Sequence, residues 1–130
     1  MVACVLVSGC SPGKAATEML DVAREYVQAY YSGDFERALN LTSGDAHADL
    51  SRKLPVLRGV KWEVHELRLK MLRTNRDGTR GSVVCAVTWE EQATPSKCIG
   101  QHVCVLDLMK FEDGWKVYSV QVHNGPGDLD

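Results

Sequence analysis

The chain has 130 residues, with 15 Lys and Arg against 17 Asp and Glu and a formal net charge of −2. That length suits one domain with one buried core, and the interleaved, slightly acidic charge excludes a dedicated nucleic-acid binder. An apolar fraction of 45% with 25% charged residues excludes a disordered chain, and no apolar run approaches the ~20 residues that span a bilayer.

Met1 to Val7 is a short apolar run, followed at once by Ser8, Gly9 and Cys10. A small-residue site after an apolar segment is what signal-peptide processing requires. The tetrapeptide Val7-Ser8-Gly9-Cys10 resembles the lipobox of bacterial lipoproteins, in which the cysteine is diacylated and becomes the first mature residue. The resemblance implies a lipid anchor on Cys10, a membrane as partner, and residence in the bacterial cell envelope, facing the periplasm or exterior. Residues 1–10 would then be a shortened signal peptide and residues 11–16 a flexible tether. No Lys or Arg precedes Lys14, so this reading expects Met1 to be an internal or misassigned start with residues missing upstream. The alternative is a soluble protein whose first residues form a stray strand or a disordered end.

The domain proper is expected over residues 17–124. From Thr17 to Ser32, Met19, Leu20, Ala23, Tyr26, Val27, Tyr30 and Tyr31 recur at helical steps along one face. Thr17 serves as the expected N-cap and Gly33 as the stop. Asp34 then caps a short second helix through Phe35, Ala38, Leu39 and Leu41, broken by Thr42-Ser43-Gly44. A third helix, Ala46 to Leu54, offers Leu50 and Leu54 to the core and is limited by Pro55.

After Gly59 the period changes to two. Val60, Trp62 and Val64 alternate, then Leu67, Leu69 and Met71 alternate in the opposite parity, which predicts a β-bulge near His65 and Glu66. Asn75-Arg76-Asp77-Gly78 is a turn. The next strand, Arg80 to Gln92, places Val83, Cys85, Val87 and Trp89 on one face. After a connection at Thr94 to Lys97, a strand from Cys98 to Phe111 leads through Asp113-Gly114 into Trp115 to His123. Residues 125–130 read as a frayed end.

A two-residue Asp113-Gly114 turn sets Met109 opposite Tyr118, Asp107 opposite Val120 and Val105 opposite Val122. Opposed residues share a face. Val103, Val105, Asp107, Met109 and Phe111 are therefore assigned to the helix-covered face with Tyr118, Val120 and Val122. The fold class is α+β: three N-terminal helices packed on a bent antiparallel sheet of about four strands.

That order, together with Glu25-Tyr26-Val27-Gln28-Ala29-Tyr30-Tyr31-Ser32-Gly33-Asp34-Phe35-Glu36-Arg37-Ala38-Leu39, resembles the nuclear transport factor 2-like superfamily with its cystatin-like cone. There a first helix commonly ends in a small residue, Gly and Asp before the second. The lipobox adds a likeness to the small bacterial lipoproteins of that superfamily, many without an assigned function. Superfamily members include ketosteroid isomerases, polyketide cyclases, dehydratases and non-catalytic binding domains, and fold does not choose among them.

Ketosteroid isomerases pair a tyrosine on the first helix with a protonated aspartic acid on a late strand as an oxyanion hole, and use a second aspartate as base. The resemblance carries the first two roles to Tyr26 and Asp107. The stretch that should supply the base offers only Glu63, with His65 and His47 as weaker substitutes. Without a positioned base, proton transfer loses most of its rate. Tyr26 also reads as a core tyrosine, and Asp107 as a structural carboxylate bonded to it or lying where the sheet bends into water.

The leading expectation is therefore a non-catalytic, membrane-tethered envelope lipoprotein. Its pocket, formed by Tyr26, Tyr30, Trp89, Asp107 and Tyr118, or its sheet face, would bind a small apolar ligand or a protein partner. A small isomerase or lyase using Tyr26 and Asp107 is the alternative. Several superfamily members dimerise through the sheet, which makes a homodimer a third expectation.

Five cysteines, Cys4, Cys10, Cys85, Cys98 and Cys104, match no zinc pattern, so no metal and no cofactor are expected. Cys98 and Cys104 lie ~20 Å apart along one strand, too far for a bridge. The face assignment also separates Cys85 from Cys104, which favours three unpaired thiols. Arg68, Lys70, Arg73, Arg76 and Arg80 gather around the first hairpin, either as a solvated strand edge or as a surface for anionic headgroups or a partner.

Overall fold

The computed structural model describes residues 12–58, 62–91 and 98–124. The expected signal-peptide segment with Cys10, Ser11 of the expected tether, Val60, the expected 94–97 connection and residues 125–130, expected to fray, lie outside these residues. Three helices precede four strands: α1 (Pro12–Ser32), α2 (Phe35–Asn40), α3 (Gly44–Leu57), β1 (Trp62–Thr74), β2 (Arg80–Glu91), β3 (Cys98–Phe111) and β4 (Gly114–Asn124). The strands form one antiparallel sheet in the order β1-β2-β3-β4.

α1 begins at Pro12, ahead of the expected Thr17 cap. Proline at the start of a helix gives up no hydrogen bond there, and Ala15 and Ala16 are strong helix formers. Thr17 Oγ1 instead donates to Gly13 O at 2.9 Å. The 12–16 stretch expected as tether is helix, with Ala15 buried. At Gly33 the chain reverses with φ of +87°, a conformation open to glycine because it lacks a Cβ. Asp34 caps α2 as expected, its Oδ1 accepting from the Arg37 N–H at 3.3 Å.

α3 starts at Gly44 and runs past Pro55 to Leu57. The Pro55 ring is exposed, and the last turn closes beyond it through Arg58 N–H to Leu54 O at 3.0 Å. This extension carries Leu57 into the core at 8% exposure. The α2–α3 linker grips the outer edge of β4: Val117 N–H donates to Leu41 O at 2.8 Å, and Ser43 N–H donates to Val117 O at 2.9 Å. Such a grip covers part of an edge strand that would otherwise invite pairing.

The bulge read from the parity switch is present, as a register shift in β1 between Val64 and Glu66. A second shift, between Met71 and Arg73, leaves Leu72 51% exposed. On β2, Val83, Cys85 and Val87 face the helices and are 0% exposed. Their partners on β3 are Leu106, Cys104 and His102. The covered face of β3 is therefore His102, Cys104, Leu106 and Leu108, not Val103, Val105, Asp107, Met109 and Phe111.

One local feature, a bulge in β4, explains that inversion. The hairpin closes with Phe111 opposite Gly114, so its loop is Glu112-Asp113 rather than Asp113-Gly114, which moves the pairing by two residues and leaves the faces unchanged. Farther along, Leu108 pairs with Val117 while Asp107 pairs with Ser119, which makes Tyr118 the extra residue of a bulge. One extra residue flips every later side chain relative to its partner. Val120 and Val122 keep the expected side, opposite Leu106 and Cys104, while β3 presents its other face. Asp107 leaves the covered face and points to the open one, where Ser82 Oγ donates to its Oδ1 at 2.6 Å.

The core lies between α1 and the sheet. Met19, Ala23, Val83, Cys85, Val87, Leu106, Leu108 and Val117 reach 0% exposure there. Trp115 Nε1–H donates to Glu18 Oε1 at 3.0 Å, satisfying a buried indole and tying β4 to α1.

Candidate functional site

The helical period of α1 brings Tyr26, Tyr30 and Tyr31 onto its sheet-facing side, and the Gly33 reversal sets Phe35 beside them. Trp62, at the start of β1, closes the group from the sheet. Its ring stacks on Tyr30 with centroids 5.7 Å apart and 14° between planes, and Tyr31 meets it edge-on at 5.2 Å. Phe35 stands perpendicular to Tyr30 at 6.1 Å.

A cavity of about 550 Å³ opens beside this cluster, with Tyr31, Phe35 and Trp62 as aromatic wall and Asp34, Glu36 and Arg58 among its charged lining. This volume suits a small organic molecule. Behind it, Tyr31 Oη lies 2.7 Å from His102 Nδ1, a pair whose donor follows the imidazole tautomer. Burial lowers the His102 pKa from its ordinary 6.5, and burial raises that of the Tyr31 hydroxyl. The pair is therefore a neutral hydrogen bond at neutral pH. Trp89 packs on His102 with centroids 5.1 Å apart, its Nε1 buried without a hydrogen-bond partner among the described residues.

Of the five residues expected to line one pocket, the fold separates two from three. Tyr26 is buried in the core at 6% exposure, its hydroxyl pKa raised chiefly by burial. Tyr30 and Trp89 are half-buried in the aromatic cluster. Asp107 and Tyr118 border a second, more polar depression of about 370 Å³ with Arg73, Asn75, Arg80 and Ser82. The sheet itself stands between Tyr26 and Asp107, so they cannot share one oxyanion hole, nor can Asp107 be bonded to Tyr26.

The candidate bases do not converge either. Glu63 and His65 are exposed and belong with Glu90, and His47 is exposed on α3. His65 Nε2 lies 2.9 Å from Glu90 Oε1. Among the described residues, Glu63, His65 and Glu90 are a group able to hold a metal ion, with one ligand atom each within 4.8 Å of one another. Cysteine spacing could not have pointed to it, because it uses none. The side chain of Cys98 lies outside the described residues, whereas Cys85 and Cys104 are buried free thiols directly opposite each other. That is a correction to their expected separation by face.

Arg68, Lys70, Arg73, Arg76 and Arg80 are exposed along β1 and its hairpin. β1 is an edge strand, where such charges discourage pairing with another chain. Sequence reasoning missed Tyr31, Trp62, Phe35 and His102 as site residues. The Trp62 alternation and the double tyrosine were visible signals, but His102 could be placed only once the β3 face was known.

The fold is the cone-shaped α+β fold of the nuclear transport factor 2-like superfamily. No protein-family model matches the chain, and no curated protein does. Among solved structures, it is similar to a putative dehydratase of the NTF2-like family from Streptomyces avermitilis. That pair has a TM-score of 0.67 and 12% identity over 90% of this chain and 100% of the other. A ketosteroid isomerase-like protein from Erwinia carotovora atroseptica aligns with a TM-score of 0.66 and 13% identity, over 85% of this chain and 96% of its own. An IcmL-like type IV secretion system protein from Legionella pneumophila gives 0.60 and 15%, over 88% and 96%. At these identities the likeness is one of fold.

Proposed function

We propose that this chain is a non-catalytic binding domain whose aromatic cavity takes a small apolar molecule, held at the bacterial envelope by lipid on Cys10. The observation that carries the binding reading is the cavity walled on one side by Tyr31, Phe35 and Trp62, with Asp34, Glu36 and Arg58 among the rest of its lining. Supporting it, the two acid donors of an isomerase-type site lie on opposite faces of the sheet. The anchor rests on the lipobox-like Val7-Ser8-Gly9-Cys10.

Titration of the full chain with N-phenyl-1-naphthylamine, an apolar fluorescent probe, tests the cavity. Saturable one-to-one binding is expected, weakened about tenfold in Trp62→Ala, the loss of one well-packed aromatic contact. Tyr31→Phe, which keeps the ring, should bind as the parent does. Equal binding by Trp62→Ala and the parent would contradict the reading. Metabolic labelling with a palmitate analogue should mark the parent chain and spare Cys10→Ala; equal labelling would reject the anchor.

A second surface supports the protein-partner version. On the open face, Val84 pairs with Val105, both half-buried, beside Ala86 and Val103 at 3% and 8% exposure; they form an apolar stripe across the two central strands that no helix among the described residues covers. A partner or a second copy would cover that stripe. Gel filtration of the parent and of Val105→Glu separates the cases: a dimer that the charge dissociates supports it, and a monomer for both removes the homodimer.

A further inference from the structure

The register of β2 and β3 sets Cys85 opposite Cys104, both on the helix-covered face. They are 0% and 7% exposed. Directly opposed residues of antiparallel strands have Cα atoms about 4.5–5.5 Å apart, inside the roughly 4.4–6.8 Å range of disulfides. Their Cβ atoms, about 4.5–5.5 Å apart, need to close by about 1 Å to reach the disulfide spacing. Burial, and after it the neighbouring Cys104 thiol, push the Cys85 thiol up to about 12, and burial pushes Cys104 up to about 11.

We infer that Cys85 and Cys104 form a cross-strand disulfide when the chain folds in an oxidising compartment. The bond joins the two central strands beneath α1. A low-molecular-mass disulfide is the oxidant. One cysteine thiolate attacks it, forming a mixed disulfide and releasing one small thiol. The second cysteine then displaces the other. The two protein thiols give up two protons and two electrons, and the oxidant leaves as two thiols. Because the folded protein buries both sulfurs and keeps them protonated, exchange belongs to the folding chain, before burial, rather than to the finished fold. The pair is a structural cross-link, not a fast switch. Its formation does not depend on what the cavity binds.

The test refolds the full chain carrying Cys98→Ser from denaturant with oxidised and reduced glutathione, followed by alkylation and tryptic mapping. Cleavage after Arg80, Lys97 and Lys110 puts Cys85 and Cys104 in separate peptides, 81–97 and 98–110. With Ser at position 98, these two peptides can be joined only through Cys85–Cys104. The expected result is a linked peptide pair that disappears on reduction, with the oxidised protein melting about 10 °C above the reduced one. Refolded protein in which both thiols remain alkylatable overturns the inference, as does refolding that succeeds only under reducing conditions. A Cys85→Ala/Cys104→Ala variant serves as control: its melting temperature should be the same in both buffers. Probe binding in the cavity is read separately, so failure of the cross-link and failure of the binding reading remain distinct.

Discussion

The two faces of β3 carry nearly the same chemistry and meet opposite fates. On one side Cys104, Leu106 and Leu108 are buried under α1. On the other Val105 and Met109 flank Asp107, all three half-buried, on a face that no helix among the described residues covers. Apolar character alone does not decide which side of a strand is inside when both sides are apolar. The decision falls to register, and the face parity here turns on one extra residue, Tyr118.

The largest separation between the faces should appear on truncation. Leu106→Ala removes a side chain with 0% exposure and should cost about 2–5 kcal/mol in urea unfolding. Val105→Ala, half-buried on the open face, should cost under ~1.5 kcal/mol. Equal costs would erase the distinction. Gly81 sharpens it from the sheet side, since a Cβ there would meet Met19 Sδ at 2.5 Å and Arg73 O at 2.7 Å. Gly81→Ala should therefore destabilise by about 1–3 kcal/mol through overpacking against α1.

Asp107→Ala should cost about 1 kcal/mol, by leaving the buried Ser82 hydroxyl without its acceptor. More telling is the cycle that combines Asp107→Asn with Tyr26→Phe. Groups on opposite sides of the sheet should couple by under ~0.5 kcal/mol, whereas a bonded pair would couple by more.

The smallest effect is one of pH. The folded-state pKa of His102 lies below its ordinary 6.5 because burial disfavours the charged ring. The unfolded chain then binds the proton more readily, so this contribution to stability is complete above pH 6.5 and is lost as pH falls toward the folded value. Thermal unfolding between pH 7.5 and 5.5 should show a slope that His102→Gln reduces. An unchanged slope would place the imidazole in water.

Much of the fold was legible in sequence for physical reasons. The α1 period, the Gly33-Asp34 reversal and the parity switch at His65 are each local signals that burial or backbone geometry imposes. The helix ends were less so: Pro12 read as tether and Pro55 as a helix limit, yet one starts α1 and the other lies inside α3. The site was legible in part. Tyr26 and Tyr30 lie where the α1 stripe puts them. Asp107 does not share their pocket, because a bulge in the neighbouring strand, invisible in β3 itself, changes which face it occupies. His102 enters and Cys85 meets Cys104 for the same reason.

The face of β3 thus decides both whether Cys85 meets Cys104 and whether Asp107 stands on the side of Tyr26. Methyl NMR with a soluble gadolinium chelate tests it most directly. Leu106 and Leu108 methyl signals should stay sharp while Val105 and Met109 methyls broaden. The reverse pattern would contradict the account, returning Asp107 to the side of Tyr26 and with it the case for proton-transfer chemistry.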